Sequence, residues 1–293
     1  MSWKKDKIII SQRYFETINI NNLELFGIIR ENLDELKQVF PIIKFIISRL
    51  DTVSVLTTND RLWDAEIVLR SALETFLKFM YISSSKGEER AKRIDEYFNL
   101  LSEVSSIKQS TQAKTNLDFF GESEVHRLAY SPQILDDELE QELRKKWPKA
   151  DRQRLEQSWS FSEIIRSISR ANKGTPLEMI ITLTHSYRMS SHVMHGDETG
   201  VLIIEERESR SQEEKEKAHA GHYLRLMSDC SVYSSLLAIE TMSFIELNSK
   251  KQFFIENQKK IDDIQELIEN YKGKVFDDSD YDKFRNKKTD HKI

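Results

Sequence analysis

Chain-breakers are scarce in this sequence: 293 residues hold eight glycines and four prolines, where average usage of about 7% and 5% gives roughly 20 and 15. Turn-dense sandwiches and barrels, glycine-rich dinucleotide-binding sheets and collagen-like repeats all need more of both. Long helices need neither, because proline removes a ladder donor and glycine costs backbone entropy inside a helix. Hydrophobic residues make up 39%, with Phe 15, Tyr 9 and Trp 4, which is too many core formers for a disordered chain. A soft prior of about 150 residues per domain allows one large domain or two small ones.

The apolar positions recur at helical spacing. Leu23, Phe26, Ile29, Leu33 and Leu36 form one run, and a second begins beyond Pro41, which should kink a helix or open one. Asn59 and Asp60 read as caps for a long amphipathic helix with Leu62, Ala65, Leu69, Ala72, Phe76 and Met80 on one stripe. Ile94, Tyr97, Phe98, Leu101 and Val104 mark another helix, and residues 108–135 lose the period and read as an irregular insertion. Ser160-Phe161-Ser162-Glu163 and Thr175-Pro176-Leu177-Glu178 both fit the capping box. Gly196 is placed to close the second of these helices, Pro176 to His195, in a left-handed conformation. Glu205 to Lys217 is a mixed charge run, and Leu224 to Leu247, apolar or small nearly all round, suits a central buried helix. The expected architecture is an all-α bundle of six to eight helices with a loop insertion and a flexible C-terminal tail. One helical-bundle domain is expected over residues 1–250, then a C-terminal helix over 251–271 and a mobile tail over 272–293.

Charge narrows the function classes. Lys+Arg number 44 against 49 Asp+Glu, a formal net of -5, so the chain lacks the general positive field of non-specific nucleic-acid binders and any RNA contact must be local. The single cysteine, Cys230, permits no intrachain disulfide and favours no oxidising compartment. It lies in an apolar helix and reads as a small buried hydrophobe. Three isoleucines behind the basic opening are too few for an export signal. Cys230 to Ile239, the longest uncharged stretch of the apolar C-terminal segment, is far short of the about 20 residues that cross a bilayer. A cytoplasmic protein with no membrane contact is expected.

The helix from Pro176 to His195 carries His185, Arg188, Ser191, His192 and His195. At about 100° per residue Arg188 and His195 return to within about 20° of one direction, while Ile180, Leu183, Tyr187 and Met194 fall on the opposite side. An imidazole can take and give a proton at neutral pH, and a guanidinium grips phosphate and stabilises charge growing on it. Together they are the minimum for metal-independent RNA cleavage, with His195 removing the 2′-hydroxyl proton and Arg188 holding the phosphate. Seven residues rise about 10 Å along a helix, so a symmetric homodimer with opposed histidine faces would help one phosphate reach both groups. The structural alternative for the same face is a satisfied polar layer or a solvent face.

Arg188 and His195 match the Arg-x4-6-His signature of the HEPN superfamily, and Tyr187-Arg188-Met189-Ser190-Ser191-His192-Val193-Met194-His195-Gly196-Asp197 resembles the late helix of an uncharacterised bacterial branch of it. Arg70-Ser71-Ala72-Leu73-Glu74 is similar to that branch's Arg-x3-Glu helix, followed by Phe76, Phe79 and Tyr81, and Trp159 fits its run-up to the histidine helix. The resemblance covers roughly 60–200. It implies a helical bundle, often dimeric, acting as a cofactor-free endoribonuclease of the toxin or anti-phage type, with RNA as substrate and a cognate inhibitor or defence partner. Met189 follows Arg188 where catalytic members commonly carry a polar residue, which leaves Arg70 as the alternative phosphate-binding cation. Glu74, Ser191 and His192 would bind or orient the substrate.

Competing chemistries find less in the sequence. His192, His195 and Asp197 could recruit a metal, but a di-metal bundle needs Glu-x-x-His twice and the chain has one, Glu216 to His219. No Walker loop, nucleophile elbow or cysteine pair is present. The non-catalytic alternative is a regulatory or scaffolding subunit whose histidine face binds a nucleotide or a partner protein.

Overall fold

Few breakers and helical periodicity translate into helices throughout: in the computed structural model, which describes residues 3–121 and 123–272, the chain is all-α. The long helices are α1 (Trp3–Glu31), α2 (Phe40–Thr58), α3 (Leu62–Ser83), α4 (Leu101–Phe120), α5 (Phe161–Ala171), α6 (Leu183–His195), α7 (Glu198–Ser209) and α8 (Gln212–Phe244), followed by the shorter α9 (Lys251–Lys259) and α10 (Gln265–Lys272). Among the described residues no helix is long and apolar enough to cross a membrane. The expected tail over 272–293 lies outside the described residues apart from Lys272, the last residue of α10.

The chain divides into two compact units, one formed by the residues up to Phe79 with those from Thr182 onward, the other by Met80–Ile181. In the first, α8 is the central helix. It buries Tyr223, Leu226, Met227, Cys230, Ala238 and Met242, against α1, which turns Ile10, Tyr14, Ile18, Leu25 and Ile28 inward at three-, four- and seven-residue spacing. Each of the leucines, isoleucines and methionines among them contributes roughly 1.5–3 kcal/mol on full burial. Ser211 starts α8 with a complete capping box, its side chain accepting from Glu214 N–H while the Glu214 carboxylate accepts from Ser211 N–H. The charged run therefore contains a helix break, from the end of α7 to the start of α8. Burial pushes the Cys230 thiol up to about 12, and the side chain is fully shielded.

Several polar side chains pair inside this core, although among the described residues Thr57 Oγ1 and Asn257 Oδ1 find no partner. Asn21 Nδ2 donates to Ser235 Oγ at 2.8 Å, and Asn257 Nδ2 donates to Asn21 Oδ1 at 2.7 Å and to the Thr17 carbonyl at 2.9 Å. These bonds tie α9 to α1 and α1 to α8 by specific partners, because a buried amide group left unpaired costs about 1–3 kcal/mol.

Several local expectations need correction. Pro41 does open a helix, in the first turn of α2. Asn59 and Asp60, read as caps for α3, instead close α2: Asn59 is its C-cap and Asp60 takes φ +59°, a conformation Asn and Asp tolerate better than most side chains. The Asp60 carboxylate binds Lys7 Nζ at 2.6 Å and His219 Nε2 at 2.8 Å.

In the second unit, residues 108–135 are largely helical. The helix α4 runs to Phe120, Gly121 turns the chain at φ +75°, and Glu124–Tyr130 forms a short helix capped by Ser123. The buried stripe of α4 is Val104, Ile107, Ser110 and Ala113, regular in position but with only two large apolar side chains, so hydrophobic periodicity fades along it. Trp159 is buried in this unit, where its Nε1 donates to Glu96 Oε2 at 2.9 Å and its ring meets Tyr81 edge-on at 5.3 Å. Ser160 caps α5, accepting from Glu163 N–H at 3.4 Å, but the expected box is only half formed, because the Glu163 carboxylate pairs with Arg166 and Ser160 N–H donates to the Gln157 carbonyl. The Thr175 box is not formed as expected: Glu178 Oε2 accepts from Gly174 N–H at 2.8 Å, one residue earlier.

Candidate functional site

The residues singled out by their chemistry lie in the first unit, on α3 and on the hairpin of α6 and α7. The expected single helix from Pro176 to His195 is two pieces, a 3-10 segment over Pro176–Thr182 and then α6. Gly196 ends α6 with φ +57°, the left-handed closure expected of it. His195 is therefore the last helical residue. Asp197 begins α7, its Oδ1 accepting from Gly200 N–H at 3.1 Å. Gly200 permits the hairpin to close, since a Cβ there would lie 2.3 Å from the His192 carbonyl oxygen.

The helix α6 has two chemically different faces. Arg188, Met189 and His195 are exposed and His192 is half-buried, and these positions lie within about 120° of one another at 100° per residue. Among the described residues no hydrogen bond or ion pair engages Arg188 or His195. His192 is held: its Nδ1 lies 2.7 Å from Asp197 Oδ2, which with the backbone donors of α7 keeps the Asp197 carboxyl below the usual carboxylate range. Ser191 is half-buried at the edge of this face. The side chain of His185 lies outside what the structure describes.

On the inner side, α6 meets the Arg-x3-Glu helix through Tyr187. Arg70 Nη2 donates to Tyr187 Oη at 2.8 Å, its guanidinium sits 4.2 Å from the centre of the Tyr187 ring, and Nη1 approaches Met194 Sδ at 3.2 Å. Tyr187 Oη donates to Glu74 Oε2 at 3.4 Å, and Lys78 Nζ pairs with Glu74 Oε1 at 3.0 Å. Arg70 and Glu74 thus bind the residue directly before Arg188. They are brought to the histidine helix, on the side away from Arg188 and His195.

One turn earlier on α3 stands a buried carboxylate that the sequence argument missed. Glu66 accepts from Ser190 Oγ at 3.2 Å and from His222 Nε2 at 2.8 Å, and forms an ion pair with Arg225. Arg207 Nη1 lies 2.7 Å from His222 Nδ1, and the Arg207 guanidinium stacks 4.5 Å from the Trp63 ring centre. Burial, helped by Arg207, pushes the His222 imidazole down to about 3, so the ring is neutral, accepting from Arg207 and donating to Glu66. Burial also lowers the Arg207 guanidinium from its usual range. The spacing Glu66, Arg70, Glu74 at i, i+4, i+8 was a signal available for finding Glu66, and Ser190 shares the inward side of α6 with Leu183 and Tyr187.

Among the described residues no three His, Cys, Asp or Glu side chains group closely enough to hold a metal ion. The arrangement offers an outer face with two imidazoles and a guanidinium, backed by an inner layer of paired charged groups in which Arg70 Nε is buried without a partner among the described residues. A protein family described as a family of unknown function, DUF5677, matches residues 39–211, more than half of the chain.

The chain belongs to the DUF5677 family. The DUF5677 match takes in Glu66, Arg70, Glu74 and both helices of the α6–α7 hairpin, and ends ahead of His222 and Arg225. No curated protein and no solved structure matches the chain.

Proposed function

We propose that this DUF5677 protein is a HEPN-like, metal-independent endoribonuclease acting in the cytoplasm as a toxin or anti-phage effector. His195 and Arg188 work on RNA, and Arg70 and Glu74 support the helix that carries them. The observation that carries this reading is the split of α6: its outer side presents Arg188, His192 and His195, while Arg70 and Glu74 grip Tyr187 on its inner side. General acid–base help of this kind is worth roughly 10²- to 10⁴-fold. Arg188, unpaired and exposed among the described residues, is the better placed phosphate ligand, since Arg70 is committed to Tyr187 and Met194. The toxin or anti-phage setting, and a cognate inhibitor or defence partner, rest on the resemblance.

A homodimer is supported by apolar exposure on the same hairpin, at Met189, Met194, Val201 and Leu202. These residues equally favour the second reading, a regulatory or scaffolding subunit whose hairpin binds a partner protein. The test is incubation of the full chain with labelled RNA in chelator. Fragments ending in 2′,3′-cyclic phosphate, lost in His195→Ala, support the nuclease. Undiminished activity in that variant removes His195 from the reaction, and inert wild-type protein leaves the scaffold reading ahead.

A further inference from the structure

Of the two imidazoles on the outer face of α6, the local structure holds His192, three residues before the end of the helix. Asp197 grips it with one carboxylate oxygen and starts α7 with the other. A carboxylate only accepts, so the proton of a neutral His192 ring sits on Nδ1 and the lone pair is left on Nε2. Among the described residues no other side chain hydrogen-bonds that ring. The backbone is shaped to the same end. Gly196 makes the left-handed turn that brings Asp197 back over the helix end, and Gly200 packs directly against the His192 carbonyl. Arg188 stands one turn before His192, a rise of about 6 Å, and His195 follows by about 4.5 Å. His192 therefore divides the long interval between guanidinium and terminal imidazole.

We propose that Asp197 is a positioning residue that holds His192 with Nε2 basic, and that His192 takes the 2′-hydroxyl proton while His195 supplies the proton to the leaving group. The catalytic half rests on the ribonuclease reading; the positioning half does not. The 2′ oxygen bonds to phosphorus as the bond from phosphorus to the 5′ oxygen breaks. His192 Nε2 gains a proton, protonated His195 gives one to the 5′ oxygen, and the products are a 2′,3′-cyclic phosphate and a 5′ hydroxyl. Arg188 stays on the phosphate oxygens, where negative charge grows in the transition state.

The variant that separates positioning from capping is Asp197→Ser, because serine is a good helix N-cap but lacks the second oxygen that reaches His192. Side-chain ¹⁵N spectra of the full chain should show His192 with its proton on Nδ1 in the wild type and losing that preference in Asp197→Ser. Cleavage of a labelled RNA should fall on the order of 10- to 100-fold in kcat with KM little changed, and His192→Ala should abolish it. An unaltered His192 tautomer in Asp197→Ser overturns the positioning role whatever happens to RNA. A shifted tautomer with wild-type kcat removes His192 as the base and leaves the ribonuclease reading intact. If wild-type protein cleaves no RNA, the ribonuclease reading fails and the assignment of His192 as base fails with it, while the tautomer shift still decides the role of Asp197.

Discussion

Arg207 Nη1 and His222 Nδ1 stand 2.7 Å apart, so a permanent cation donates into the lone pair of an imidazole that has no room to become one itself. That ring holds its folded-state value near 3 against an ordinary 6.5. As pH falls through this window the unfolded chain takes up the proton first, so stability is complete above about pH 6.5 and declines toward pH 3. The slope from this one group is at most about 1.4 kcal/mol per pH unit. Thermal unfolding at pH 7, 6, 5 and 4 should show a steeper loss for the wild type than for His222→Gln; parallel curves would count against the buried neutral ring.

Glu66 is the acceptor on which three helices converge. Glu66→Ala leaves the His222 and Ser190 donors without their shared acceptor, while the half-exposed Arg225 keeps Asp229, and a buried donor left unpaired costs about 1–3 kcal/mol. Denaturant unfolding should place the variant that far below the wild type. A loss under about 1 kcal/mol would mean that water replaces the carboxylate.

Tyr187 joins the histidine helix to the Arg-x3-Glu helix, accepting from Arg70 and donating to Glu74. Tyr187→Phe keeps the ring under the guanidinium and removes the hydroxyl, at a cost of about 1 kcal/mol. In a double-mutant cycle with Arg70→Lys the two changes should be non-additive by a similar amount. Strict additivity in urea unfolding would dissolve the proposed link.

Gly200→Ala tests the closeness of the hairpin. A methyl group there meets the His192 carbonyl at 2.3 Å, backbone that cannot step aside as a side chain can, and overpacking of this kind costs about 1–3 kcal/mol. Amide exchange should quicken in α6 and α7 while α8 keeps its protection; unchanged exchange in the hairpin would contradict the close approach.

What could be read from the sequence follows from what periodicity measures. The stripe from Leu62 to Met80 and the apolar run of α8 were legible because burial and hydrophobicity coincide there. The left-handed closure at Gly196 was legible because few other residues adopt that geometry. The start of α4 was legible at Leu101 and Val104, but its continuation from residue 108 was hidden because Ser110 and Ala113, buried for their small size, carry little hydrophobic signal. Asp60 looked like a cap because the residue type serves both ends of a helix, and only the tertiary partners Lys7 and His219 explain it. Within the site, the facing of Arg188 and His195 followed from helical geometry alone. The hold of Asp197 on His192 did not, since it crosses a turn whose path no residue count specifies. Glu66, Ser190 and His222 come from three separated stretches of chain, and their meeting is a property of packing.

Cys230 lies fully shielded in α8 with its thiol displaced to about 12, so at neutral pH almost no thiolate is present to react. Maleimides should pass the native protein by. A cysteine engineered at an exposed position of α6, such as Met189→Cys, then becomes the sole reactive thiol of the chain. A fluorophore or spin label can be set beside the imidazoles without first silencing the natural residue.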